Sequence, residues 1–192
     1  MPLQLRFVRS TKRHSDLPDS PAEVAFVGRS NVGKSTLINA LANHRQLAKV
    51  SNTPGRTQVI NVFALPGGAT VVDLPGYGYA AVPRREHRGW QPMIEGYLLE
   101  RRPLALVFVL VDAEIGPTPL DVQMLEWLAA NDVPHTVVAT KLDKVKPSRL
   151  AARKQHLAAR CHLDEGDVIW VSATKGVGID RLQSHVLAVL SA

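Results

Sequence analysis

The run GRSNVGKS, Gly28 to Ser35, sits between an apolar β-branched stretch and an amphipathic one, and fits the pattern G-x-x-x-x-G-K-[ST]. Chemistry of one kind follows from that spacing. The glycines let the backbone of Gly28, Arg29, Ser30, Asn31, Val32 and Gly33 turn N–H groups inward around phosphate oxygens. Lys34 brings a point charge to the β- and γ-phosphates, and the Ser35 hydroxyl suits Mg²⁺. The N-terminus of the following helix adds its partial positive charge.

A phosphate loop does not choose a base. TKLD, Thr140 to Asp143, follows the apolar run HTVVA and supplies that choice. The Asp143 carboxylate can accept both N1–H and the exocyclic amine of guanine, which adenine cannot offer. The aliphatic stem of Lys141, next to Leu142, can cover the base plane. The commoner pattern begins with Asn; Thr140 keeps a hydroxyl and loses the amide, so one contact to the ring is expected to be weaker. VSA, Val171 to Ala173, ends a later apolar run, and Ser172 with the Ala173 N–H can face guanine O6.

DLPG, Asp73, Leu74, Pro75 and Gly76, ends another such run. Asp73 can hold a metal-bound water, and the Gly76 N–H can meet a γ-phosphate. A Ras-type hydrolase places a water-orienting glutamine after that glycine; here the residue is Tyr77. Between the phosphate loop and DLPG lies SNTPGRTQV, which includes Gly55, Arg56, Thr57 and Gln58. Thr53 and Thr57 compete to supply a second metal ligand. Thr57 is preferred, because the adjoining run VINVFAL would fix its distance from the ion.

These residues need a frame to hold them. Short β-branched runs alternate with longer amphipathic ones, the pattern of a parallel sheet covered by helices. AEVAFVG, VINVFAL, ATVVDL, ALVFVLVDA, HTVVAT and DVIWVSA read as six strands, the second and third forming a hairpin across PGG. Helices are expected over KSTLINALAN and near 92–101, 118–131, 147–160 and 179–190. The segments 47–58 and 75–90 are rich in Gly, Pro and polar residues and read as loops.

The five elements in this order resemble the translation-factor class of GTPases. The wording GRSNVGKSTLINAL, SNTPGRTQVINVF, VDLPGYGYA and TKLDK is similar, more narrowly, to the EngB family of bacterial ribosome-assembly GTPases. The resemblance runs from about Val24 to Ala173. It implies an α/β, Ras-like P-loop domain over 21–192: a mostly parallel six-stranded sheet, one strand antiparallel, helices on both faces. It implies binding of GTP and GDP with Mg²⁺ held by Ser35 and Thr57, and hydrolysis using Lys34, Thr57, Gly76 and Asn31. It also implies a role late in large-subunit assembly, with a link to cell division and septation. In related GTPases an asparagine at the place of Asn31 helps hold K⁺ beside the phosphates; here it either does so or only fits the loop. Arg29 is a lesser candidate for the same role and reads first as a solvent-facing arginine.

Composition bounds the partners. The 192 residues, 45% apolar and 21% charged, suit one globular domain, and the net charge of +6 points toward a polyanionic partner, though many basic proteins bind none; ribosomal RNA is what the resemblance implies. Residues 1–20 form a polar, basic extension with Arg6, Arg9, Lys12 and Arg13. Arg84, Arg85 and Arg88, with Trp90 nearby, form a second cluster after DLPG, where nucleotide state could alter a grip on phosphodiesters. No apolar run is long enough for a membrane span, and the lone Cys161 excludes an internal disulfide and suits a reducing cytosol. The reading is therefore a cytoplasmic, monomeric GTPase acting on the large ribosomal subunit or its precursor. A competing reading is a GTP-gated RNA-binding scaffold with vestigial hydrolysis. A P-loop kinase or ATPase is disfavoured by the TKLD and VSA pair.

Overall fold

The computed structural model describes residues 1–48, 59–77 and 84–192, without the side chains of 84–91. In chain order its elements are β1 (Arg6–Thr11), β2 (Glu23–Gly28), α1 (Lys34–Leu41), β3 (Ile60–Ala64), β4 (Thr70–Asp73), α2 (Arg84–Glu100), β5 (Leu104–Asp112), α3 (Pro119–Ala130), β6 (His135–Thr140), α4 (Leu150–Arg160), β7 (Ile169–Trp170) and α5 (Ile179–Leu190). The seven strands lie in the order β1-β3-β4-β2-β5-β6-β7. β3 is antiparallel to both β1 and β4, and every other pairing is parallel. One strand therefore opposes the rest, as the sequence implied.

The strand count is corrected from six to seven. Residues 6–11, read as part of a polar extension, pair with β3 along the sheet edge, with a bulge between Phe7 and Arg9. RFVRST carries no apolar alternation because the strand covers little core: five of its six residues are exposed. Helix α2 is the second correction, since it begins at Arg84 and not near Pro92. Proline is favoured at a helix start, which drew the expected boundary; here Pro92 lies inside the helix. The PGG hairpin joins β3 and β4 as expected, with Gly67 and Gly68 at φ of 93° and 91°, closed by Leu65 N–H donating to Ala69 O at 2.8 Å.

Strand alternation distributes the core. Ala25 and Val27 of β2, with Val107, Val109 and Val111 of β5, face one side, packed by Tyr97, Leu128 and Leu157 of α2, α3 and α4. Val24 and Phe26, with Phe108 and Leu110, face the other, packed by Leu37, Leu41, Leu182 and Val186 of α1 and α5. Helices thus cover both faces. The central strands bury every position of β2 and the last six of β5, so their register is fixed and so is the position of whatever follows their C-terminal ends.

A candidate guanine nucleotide site

Loops leaving the C-terminal ends of β2, β4, β5 and β6 meet at one rim, the usual ligand edge of a parallel sheet. The phosphate loop leaves β2 there. Gly28 is required by crowding: a Cβ would lie 2.9 Å from Leu110 Cβ and 3.0 Å from Leu110 O. Val32 is buried in the α1–α5 core, which staples the loop down. Gly33 caps α1 at φ 99°, a conformation that favours glycine. Asn31 is exposed and also left-handed, φ 65°, one of the few side chains that tolerates this. Loop geometry alone therefore gives Asn31 a reason to be there.

Lys34 and Asp73 are both buried, at 8% and 2% exposure, and form an ion pair. Asn61 of β3 donates its Nδ2 to the other Asp73 oxygen at 3.3 Å. The Asp73 carboxylate and the Ser35 hydroxyl at the start of α1 are hard oxygen donors that fit Mg²⁺, and the buried Lys34 ammonium fits phosphate. Thr57, Gly55, Arg56 and Gln58 lie outside the described residues, as does Thr53.

The second wall comes from β6 and β7. Thr140 is buried, and its hydroxyl donates to Val32 O at 2.7 Å and to Val111 O at 3.3 Å. That hydroxyl ties the loop after β6 to the phosphate loop. Lys141 adopts φ 55°, and its Nζ pairs with Asp112 Oδ2 at 2.7 Å. Its stem passes over the phosphate loop, with Cε 3.8 Å from where a Gly33 Cβ would stand. Asp112 is held in turn by N–H groups of Glu114 and Ile115, donating to Oδ1 at 2.9 and 3.2 Å.

Asp143 accepts a hydrogen bond from the Ser172 hydroxyl at 2.5 Å. That bond leads the causes that hold its carboxyl below the ordinary range, so the carboxylate is ionised and pre-aimed. Ser172 N–H is engaged by Val177 O at 2.9 Å, and Leu142 N–H by Val171 O at 3.1 Å. Between these groups lies a cavity of about 180 Å³, lined by Gly33, Leu37, Thr140, Lys141, Asp143 and Ala173 among others. An apolar floor, a lysine stem and one convergent carboxylate are what a purine with two adjacent N–H donors requires.

The DLPG loop docks directly on the phosphate loop. Leu74 and Pro75 are buried, and a Cβ on Gly76 would lie 3.0 Å from Ser30 N. Ser30 N–H donates to Tyr77 O at 3.0 Å, and Tyr77 N–H to Gly28 O at 3.2 Å. Tyr77 is 4% exposed, and its hydroxyl donates to Asp121 Oδ1 at 2.9 Å. It therefore turns into the core, not toward the cavity. Arg29 is corrected as well: its side chain is 24% exposed, with Nε 3.5 Å from Asp121 Oδ2.

Asp112, Asp121 and Asn61 did not emerge from the motifs. Asp112 ends an apolar strand on the ligand rim, a position that could have flagged it. T-x-x-D over Thr118–Asp121 signals only a helix start; nothing in the sequence ties it to the site.

Comparison with known proteins agrees with this geometry. A family model described as 50S ribosome-binding GTPase matches residues 23–141. The probable GTP-binding protein EngB of Geobacter sp. (strain M21) is 42% identical over 185 residues, covering 96% of this chain and 86% of the relative. That of Aquifex aeolicus (strain VF5) is 42% identical over 96% of this chain and all (100%) of its own. That of Pelotomaculum thermopropionicum (strain DSM 13744 / JCM 10971 / SI) is 51% identical over 76% of this chain and 74% of its own. Among solved structures, a probable GTP-binding protein engB superimposes with a TM-score of 0.73 at 26% identity, over 88% of this chain and 99% of that one. Era bound to MgGDPNP and a 16S ribosomal RNA segment aligns with a TM-score of 0.64 at 26% identity, over 88% of this chain and 56% of that one. The chain belongs to the EngB family of GTP-binding proteins and is a GTPase of the ribosome-binding type.

Proposed function

We propose that this GTPase is a switch that assists late assembly of the large ribosomal subunit in the cytoplasm, as a monomer, and that its link to cell division and septation runs through ribosome supply. Support comes from the family's ribosome-binding description and from the basic charge of the chain. The observation that carries the nucleotide half is the Asp143–Ser172 pair facing a cavity floored by Lys141 and Ala173, on the same rim as Lys34. Val171 and Thr140 line the same cavity, and Leu142, next to Asp143 in the chain, holds the loop to β7 through its N–H to Val171 O.

In this reading Lys34 leaves Asp73 for the β- and γ-phosphates, and the N–H groups from Gly28 to Ser35 cradle them. Ser35 and Thr57 would hold Mg²⁺, with the Asp73 carboxylate close behind them, and the ion would supply neutralisation of phosphate charge. Gly76 offers its N–H to the γ-phosphate. Tyr77, buried against Asp121, brings no water-orienting group, so intrinsic hydrolysis is slow and K⁺ near Asn31 or the ribosomal partner accelerates it. The basic cluster Arg84, Arg85 and Arg88, whose side chains lie outside the described residues, tightens on ribosomal RNA in the GTP state.

Calorimetry with GTP and ATP tests the base. GTP should bind at least a hundredfold more tightly, and equal affinity would overturn the assignment. Asp143→Asn should erase that preference while leaving thermal stability unchanged. Sedimentation with large-subunit precursors should show retention with a non-hydrolysable GTP analogue and release with GDP. Arginine-to-alanine changes at 84, 85 and 88 together should abolish it. Equal turnover in NaCl, in KCl and with added large subunits would dispose of the activation scheme.

A further inference from the structure

Asp121 lies on α3, a helix that none of the nucleotide-binding motifs includes, yet it is 1% exposed and touches both loops that meet the phosphates. Its Oδ1 accepts the Tyr77 hydroxyl at 2.9 Å. Its Oδ2 accepts Thr118 N–H at 2.8 Å and the Thr118 hydroxyl at 2.7 Å, and lies 3.5 Å from Arg29 Nε. Arg29 is the second residue of the phosphate loop, and Tyr77 directly follows the Gly76 whose N–H meets a γ-phosphate. Between them the backbones are bonded twice, Ser30 to Tyr77 and Tyr77 to Gly28. One carboxylate, locked to the start of α3 by Thr118, is therefore the common anchor of the phosphate loop and the DLPG loop.

We propose that Asp121 is a positioning residue for GTP hydrolysis: through the Tyr77 hydroxyl it fixes the pivot from which Gly76 reaches the γ-phosphate. The inference rests on the guanine-nucleotide reading and deepens it. Tyr77 stands where a Ras-type enzyme carries glutamine, and its role here is anchorage in place of water orientation. A phenol fits that role because its ring packs into the α2–α3–α4 core while its hydroxyl reaches a buried charge. GDP makes no contact with Gly76 in this scheme, so the anchor matters only when a γ-phosphate is present.

The test is Tyr77→Phe in the full-length protein, which removes one hydroxyl and keeps the ring. Single-turnover hydrolysis and affinity for a non-hydrolysable GTP analogue should each fall about tenfold, with GDP affinity within twofold of wild type. Unchanged hydrolysis and unchanged analogue affinity would overturn the proposal. So would an equal fall in GDP and analogue affinity, which marks a merely structural residue, or a gain in analogue affinity. Asp121→Asn is the second arm, read alone and combined with Tyr77→Phe. The double variant should lose no more than Asp121→Asn does, because Tyr77→Phe acts only through the Tyr77–Asp121 contact that Asp121→Asn already weakens; additive losses would overturn the coupling. If Asp121→Asn does not fold, the Tyr77→Phe result decides. Failure of GTP to outcompete ATP in the wild type would instead count against the nucleotide reading itself.

Discussion

Two buried carboxylates, one at each end of β2, are built from the same parts. At the N-terminal end, Glu23 is fully buried and accepts the Tyr97 hydroxyl at 2.7 Å, Arg101 Nε at 3.0 Å, Arg101 Nη2 at 3.1 Å and the Thr70 hydroxyl at 2.6 Å. At the other end, Asp121 takes the Tyr77 hydroxyl, two Thr118 donors and the nearby Arg29. Each centre is a tyrosine, an acid, an arginine and a threonine. Their arginines differ. Arg101 makes a two-pronged bond to Glu23 and gives a further bond to Pro18 O at 2.6 Å. Arg29 Nε is buried with no hydrogen-bond partner among the described residues. The first centre joins β2, β4 and α2 at the end of the sheet opposite the phosphate loop. The second joins the phosphate loop to the DLPG loop, the two segments that the proposed function places against a γ-phosphate. Full satisfaction suits a fixed joint; in the second centre the arginine meets its acid at one longer contact of 3.5 Å and makes no two-pronged bond.

That contrast can be broken experimentally. Glu23→Gln should give the largest loss of stability, about 3 kcal/mol in urea unfolding, because it strands the Arg101 charge, and GDP affinity should not move. A small loss would mean the fixed joint is not what holds the sheet to α2. The arginines come next. Arg101→Met should cost about 2 kcal/mol, while Arg29→Met should cost under about 1 kcal/mol, since little bonding is lost there. Equal costs would erase the distinction. Tyr97→Phe should cost about 1 kcal/mol and leave hydrolysis unchanged, the reverse of the result expected for Tyr77→Phe.

The smallest effect is on pH dependence. Burial, followed by the adjacent carboxylate, pushes the Tyr77 and Tyr97 phenols well above their usual value. Both stay neutral when folded, whereas an unfolded chain ionises them near pH 10. Their contribution is therefore complete below about pH 10 and is lost as pH rises beyond it toward the folded values. Urea midpoints measured between pH 8 and 11 should fall only above that point, and either Phe variant should flatten the fall.

How much of this was legible without coordinates depends on the residue. The pattern GRSNVGKS carries its own backbone logic, since only its glycines permit Gly28 to approach Leu110 and Gly33 to turn left-handed. TKLD and VSA were legible as a pair because each ends an apolar run, and the sheet brings such ends together. The edge strand β1 was not, because a strand exposed along nearly all its length has no apolar alternation to read. Pro92 misled in the other direction: its preference for helix starts is local, and packing of α2 through Ile94, Tyr97 and Leu98 outweighs it.

The sequence by itself determined the fold class and the phosphate loop, and it put Asp143 forward as the acid of a base site, because each depends on residues close along the chain or on strand ends that parallel packing must align. Only the tertiary structure decided what Tyr77, Arg29 and Asp121 do. Asp121 lies 44 residues beyond Tyr77 in the sequence, and no local pattern relates them. Their meeting depends on how α3 packs against β5 and the loops beside it, and a buried charge acquires its partners only once that packing has excluded water.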